Sequence, residues 1–209
     1  NNLMSASTKE QWNDWYRRIL IKDLRCGVSE KTINNVVEKE YPQYAVPVFS
    51  CQLAHDSANH EGKVTGKKYI EVKLDGVRVI TIVRTDGRVD QFSRNGKELV
   101  NFEHITKQIS EVVKKDPPPY DLVLDGEIMS SSFQDLMKQV HRKSDVKTAD
   151  AVLNLFDILT LKDFQTGYCK HSQQDRSNAL KAWYNPIQEH VPNIAVLGQE
   201  LVDLDTPEG

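Results

Sequence analysis

Tyr69-Ile70-Glu71-Val72-Lys73-Leu74-Asp75-Gly76-Val77-Arg78-Val79-Ile80-Thr81-Ile82-Val83 sets a lysine two residues before an Asp-Gly pair and an arginine two residues after it. β-branched and aromatic residues flank Asp75-Gly76 on both sides. Because Asp and Gly tolerate the backbone of a tight turn, the pattern predicts a β-hairpin. In its first arm Ile70, Val72 and Leu74 alternate with Glu71, Lys73 and Asp75, which puts the three ionisable groups on one strand face. A solvated face accounts for such a set without any function. Chemistry offers another account: a lysine amine becomes a nucleophile when burial, a neighbouring cation or a metal frees its lone pair. It then attacks phosphorus or a carbonyl, as a guanidinium cannot. Arg78, on the returning arm, carries the fork of donors that suits a phosphate or ribose.

At 209 residues the chain has room for one large domain, or one domain with a small appendage. Hydrophobic residues at 39% and charged residues at 27% are the proportions of a soluble globular protein. No apolar run approaches membrane-spanning length, and Asn1-Asn2-Leu3-Met4-Ser5 lacks the pattern of a secretory signal. Cys26, Cys51 and Cys169 are scattered and odd in number, which points to a reducing, cytoplasmic setting and to neither disulfide nor zinc spacing. A net charge of −3 excludes a uniformly basic nucleic-acid binder, so any DNA contact must come from local patches or from further parts of the protein.

Upstream, Ser7-Thr8-Lys9-Glu10 reads as a capping box, followed by Trp12, Trp15, Tyr16, Ile19 and Leu20 at helical spacing. These predict an amphipathic helix over about residues 8–25. Ser29 caps a second helix through Ile33, Val36 and Val37 to about Glu40, ended by Tyr41-Pro42. Helix, Gly-Val-Ser turn, helix is also the order of a helix-turn-helix DNA-binding protein. Against that stand the acidic Glu30, Glu38 and Glu40 on the second helix. Residues 42–68 read as a linker, a strand near Val46 to Phe49 and a surface loop, whose His55 and His60 lack a third metal ligand nearby.

Downstream, Asp86-Gly87 and Asn95-Gly96 predict two further turns in an antiparallel meander. Phe102 to Val113 has helical spacing and is closed off by Pro117-Pro118-Pro119. Tyr120 to Met129 is an apolar strand carrying Asp125-Gly126-Glu127, and a carboxylate there is costly to bury without a partner. Residues 133–140 read as a helix capped by Ser131 or Ser132 and leading into His141-Arg142-Lys143. Ala151 to Leu159 reads as a buried strand, Arg176 to Tyr184 as a helix, and Ile194 to Val202 as a final strand.

Lys73-Leu74-Asp75-Gly76-Val77-Arg78, Ser93-Arg94-Asn95-Gly96, Asp125-Gly126-Glu127 and Phe156-Asp157 occur in this order over about residues 69–158. Together they resemble the motifs of ATP-dependent DNA ligases of the covalent nucleotidyltransferase superfamily, of viral or phage type. The resemblance implies an α+β, ATP-grasp-like adenylation domain of antiparallel sheets flanked by helices, with ATP between them. It implies residues 1–45 as a helical remnant of a DNA-binding region and 46–209 as the nucleotidyltransferase domain. It also implies Lys73 as the residue that takes AMP covalently. Glu71 then lies beside the adenine, Arg78 and Arg94 on the nucleotide, and Phe156 stacked on the base. Glu127 faces the ribose and helps place Mg²⁺, while Asp75 supports the lysine or the later 3′-hydroxyl step. The implied partners are ATP and nicked double-stranded DNA, with no membrane. The later Glu-Gly and Lys-x-Lys motifs of the family and its oligonucleotide-binding (OB-fold) barrel are not seen. Glu208-Gly209 reads as the lead-in to a helix, so the chain is expected to be an N-terminal fragment or half of a split enzyme. An RNA ligase or capping-type guanylyltransferase shares the lysine motif and is the alternative within the superfamily.

Overall fold

In the computed structural model, which describes residues 2–20, 27–37, 39–45, 49–131 and 150–207, the stretch from Tyr69 to Val83 is not a hairpin. β1 (Lys67–Glu71) pairs antiparallel with β7 (Gln199–Asp203) in a two-stranded ribbon. β2 (Val77–Val83) is a central strand of a separate five-stranded sheet. Residues 72–76 therefore carry the chain from one sheet to the other, and Lys73 lies on that connection instead of in a strand.

The physical reason is visible at Gly76. Its φ is not left-handed, so the turn that the Asp-Gly pair predicts is not made. Instead the connection runs tightly along the neighbouring strand, where a Cβ at Gly76 would strike Ile128 O and come within 2.6 Å of Met129 Sδ. Gly76→Ala is accordingly expected to cost about 1–3 kcal/mol of stability, as overpacking against a backbone does. Urea denaturation of the variant beside the parent measures it.

The five-stranded sheet has the order β3-β2-β4-β5-β6, with β3 (Val89–Ser93), β4 (Leu122–Met129), β5 (Val152–Thr160) and β6 (Ile194–Val196). All neighbours are antiparallel except β5 and β6, so the expected antiparallel architecture holds with one parallel edge. The expected final strand is two strands, β6 and β7, each serving a different sheet. The turns at Asp86-Gly87 and Asn95-Gly96 form as expected, each placing its glycine at positive φ (85° and 76°). The strand with Asp-Gly-Glu forms as expected, from Leu122 to Met129.

Residues 1–48 and 49–209 form two compact units. In the first, α1 (Asn2–Ser5), α2 (Lys9–Gln11), a π-helical turn (Trp12–Tyr16) and α3 (Arg17–Leu20) precede α4 (Glu30–Val37). The capping box is made by Thr8 with Gln11, one residue later than Ser7 and Glu10 would place it. Ser29 caps α4 through Thr32 N. The expected continuation of the first helix to residue 25 lies outside the described residues beyond position 20, as do Val46 to Val48, residues 133–140, His141-Arg142-Lys143 and Glu208-Gly209.

In the second unit, α5 (Glu103–Lys115) and α7 (Gln173–Tyr184) belong to the core on one face of the sheet. α5 contributes Ile105, Ile109, Val112 and Val113, and α7 contributes Leu180, packed with Val79, Leu124, Ile128, Leu153 and Leu155 of the strands. Fully burying side chains of this size stabilises by about 1.5–3 kcal/mol each, which fixes this face as the structural one. The opposite face is shared between two uses. Ile80, Ile82 and Val123 pack there with Leu161 of α6 (Leu161–Thr166), and Phe49 lies 5.7 Å from the Phe92 ring and 5.4 Å from that of Phe164. By the two-residue period of a strand, Arg78 shares the face of Ile80, and Asp125 and Glu127 share that of Val123. The apolar cluster thus gives way, along the same face, to a row of charges.

Candidate functional site

Those charges are organised by one ion pair. Arg78 Nε donates to Asp125 Oδ1 at 3.0 Å and Nη2 to Oδ2 at 2.7 Å, a bidentate pairing across β2 and β4. Its Nη1 donates to Gln52 O at 2.6 Å. The guanidinium is thereby held flat, with Cζ 5.5 Å from the centroid of the Phe156 ring. Burial pushes the Asp125 carboxyl up, against the pull of Arg78. Arg78, read from the sequence as a phosphate or ribose holder, has three of its donors committed to protein.

Phe156 owes its place to an irregularity in β5. Asp125 pairs with Asp157 but Gly126 pairs with Leu155, so Phe156 is the extra residue of a β-bulge opposite the Asp125-Gly126 step. A bulge turns a side chain out of strict alternation, and Phe156 ends up half-buried beside Arg78. The next residue pins the bulge from behind. Asp157 accepts Arg176 Nε at 2.8 and 3.1 Å, and Arg176 comes from the first turn of α7, whose N-terminus is closed by a Ser172–Asp175 capping box.

Glu127 stands opposite Arg78 in the register of β2 and β4. Its Oε1 accepts the Gly76 N–H at 2.9 Å, which ties the lysine-bearing connection to β4. Lys73 is exposed and close enough to Glu127 to pull on its carboxyl; the net direction is up, set by burial and opposed by Gly76 N–H, Lys73 and Arg78. A carboxyl raised in the folded state adds stability that is complete below its ordinary value of 4.5 and is lost as pH rises through the folded value. The stability difference between Glu127→Gln and parent is therefore expected to shift in the variant's favour as pH rises from about 4.5 upward. Melting temperatures of both proteins across that range check the sign.

Glu71 reaches the cluster from the ribbon. Gln199, its cross-strand partner, donates Nε2 to Glu71 Oε2 at 2.8 Å and to Phe156 O at 3.4 Å. Arg94 is exposed on the Ser93–Gly96 turn, where its carbonyl accepts from Cys51 Sγ at 3.8 Å. Burial pushes the Cys51 thiol up while Arg78 and Arg94 pull it down, so Cys51 lies within reach of both arginines. Asp75 is exposed on the connection.

The structure therefore brings Arg78, Glu127, Phe156, Lys73 and Glu71 into one linked cluster, with Arg94 at its edge through Cys51. Asp125 and Gln199 escaped the sequence reading. Asp125 had a legible signal: a carboxylate inside an apolar strand needs a partner, and this holds for Asp125 as much as for Glu127. Gln199 had none, because its role depends on the pairing of β1 with β7. Among the described residues no group of three or more His, Cys, Asp or Glu is placed to hold a metal ion. Asp125 is taken by Arg78, and the other carboxylates at or beside the cluster are Glu127, Glu71 and Asp75; Mg²⁺ is an ion commonly held by one or two carboxylates together with substrate phosphates and water.

The family model described as the ATP dependent DNA ligase domain matches residues 51–198. Two solved structures, Pmar-Lig_Pre and Pmar-Lig_PreS3, are 58% and 59% identical to this chain, each with a TM-score of 0.81. They match 99% and 97% of it, and it spans 47% and 46% of them, about half their length. The ATP-dependent DNA ligase from bacteriophage T7 in complex with ATP shares the fold at 21% identity and a TM-score of 0.53, over 75% of this chain and 55% of that one. The Naegleria gruberi RNA ligase with PPi does so at 18% and 0.51, over 77% and 46%.

Proposed function

We propose that this chain, which belongs to the ATP-dependent DNA ligase domain family, carries in Lys73 the amine that accepts AMP from ATP. The observation that carries the reading is the gathering of Lys73, Glu127, Arg78 and Phe156 around the connection between the two sheets. In the first step Lys73 Nζ attacks the α-phosphorus. An N–P bond forms, the bond from that phosphorus to the bridging oxygen breaks, pyrophosphate leaves and the amine loses a proton. A DNA 5′-phosphate oxygen then displaces the lysine, which regains its proton, and a 3′-hydroxyl displaces AMP to seal a nick.

Phosphoryl transfer relies mainly on positioning and charge neutralisation. Phe156 offers a flat face to the adenine and Glu71 stands beside the base. Arg94 contacts the nucleotide, as does Arg78 with its remaining donors, and Glu127 faces the ribose. Asp75 supports the lysine or the 3′-hydroxyl step. Glu127 would hold Mg²⁺, which when bound offsets the charge of the departing pyrophosphate.

Nicked double-stranded DNA is the proposed substrate, and an OB-fold barrel the proposed companion of this domain. Residues 1–45 are proposed as a helical remnant of a DNA-binding region, and 46–209 as the nucleotidyltransferase domain. Among the described residues no helix is long and apolar enough to cross a membrane; the cytoplasm, of the host if the source is viral, is the proposed setting. Incubation with α-labelled ATP and, separately, GTP tests the reading. One label per chain from ATP and far less from GTP is expected; labelling by GTP alone would identify a guanylyltransferase instead.

A further inference from the structure

We infer that Gln199 is a positioning residue for the nucleobase end of this site, holding Glu71 in place against the backbone of Phe156. The inference rests on the reading of Lys73 as the AMP acceptor.

Glu71 closes β1, the strand that leads into the Lys73 connection, and Phe156 is the bulged residue of β5 in the other sheet. The Gln199 amide joins them, with Nε2 donating at 2.8 Å to Glu71 Oε2 and at 3.4 Å to Phe156 O. Two acceptors on the same nitrogen fix which end of the amide is which. Gln199 also precedes the rest of β7 directly after the Leu197-Gly198 link from β6, so one short piece of chain serves both sheets.

The amide is poorly placed for stability alone. Its Oε1 is buried with no hydrogen-bond partner among the described residues, a state that costs about 1–3 kcal/mol. One of its two acceptors, Glu71, is exposed, and the bond to the other is long. An apolar residue of similar volume would remove the unpaired oxygen. A purely structural role and a positioning role therefore differ in what they expect of Gln199→Leu. The first expects unfolding and loss of labelling in step. The second expects a protein of unchanged melting temperature that handles its nucleotide worse.

Gln199→Leu and Gln199→Glu are to be compared with the parent chain by α-labelled ATP and GTP titration, with melting temperatures measured in parallel. The expected result is a roughly tenfold rise in the ATP concentration for half-maximal labelling in each variant, and a matching fall in the ATP to GTP preference. The maximal rate should stay within a few-fold of parent, and the melting temperature of Gln199→Leu should stay at or above the parental value. In Gln199→Glu two carboxylates face each other, so adding Glu71→Gln restores a donor between the positions and is expected to recover part of the loss. Parental half-saturation and base preference in both variants would overturn this inference while leaving Lys73 as the acceptor. Loss of labelling that follows a fall in melting temperature would overturn it too. A parental chain that takes no label from either nucleotide overturns the reading of Lys73 and this inference with it.

Discussion

Lys73→Arg is expected to abolish transfer of AMP to the chain, by at least about a thousandfold, because a guanidinium keeps its proton at any working pH and offers no lone pair. The charge is retained, so weaker attraction for ATP cannot account for the loss. Lys73 is exposed, and substitutions at exposed positions away from packing usually change stability by no more than about 0.5 kcal/mol. The melting temperature is therefore expected to stay at the parental value. Labelling and thermal melts on the same preparation separate the two quantities. Retained labelling in Lys73→Arg would mean that another side chain takes the nucleotide.

Asp125→Ala is expected to have the largest effect on stability, a loss of about 3–5 kcal/mol, the usual consequence of removing one partner from a buried ion pair. The side chains of Arg78 and Asp125 are only 19% and 9% exposed, so the variant leaves a cation beneath Phe156 without its counter-charge. Replacing both partners, as Arg78→Met with Asp125→Leu, is expected to return most of that loss, since the apolar pair carries no desolvation cost. Arg78→Met and Asp125→Leu singly, the double variant and the parent complete a double-mutant cycle by urea denaturation. Labelling should fall in the double variant as well, where stability recovers, because the ring of Phe156 and the carboxylate of Glu127 lose the guanidinium between them.

Much of the second unit was legible in the sequence for local reasons. Gly87 and Gly96 made the turns their Asp and Asn neighbours announced. α5 followed from the spacing of Ile105, Ile109 and Val112, and β4 and β5 from strand-length runs rich in apolar residues. The hairpin at Asp75-Gly76 was misread because a tight turn and a close approach both call for glycine, and only the position of Ile128 decides between them. The alternation in β1 was equally ambiguous, since Ile70 is 48% exposed and pairing with β7, not burial, holds the strand. Motif positions pointed to Lys73, Arg78, Glu127 and Phe156 but not to their partners. That Arg78 leans on Asp125, that Phe156 sits on a bulge and that Glu71 meets Gln199 are all contacts between residues distant in sequence. Such contacts depend on register, which no local pattern encodes.

The most direct measurement is the site of attachment. The parental chain, treated with ATP and Mg²⁺ and digested under conditions that preserve a phosphoramidate, is expected to yield a single AMP-bearing peptide, with the modification on Lys73. AMP found on any other residue, or no modified peptide from a chain that melts as a folded protein, would contradict it.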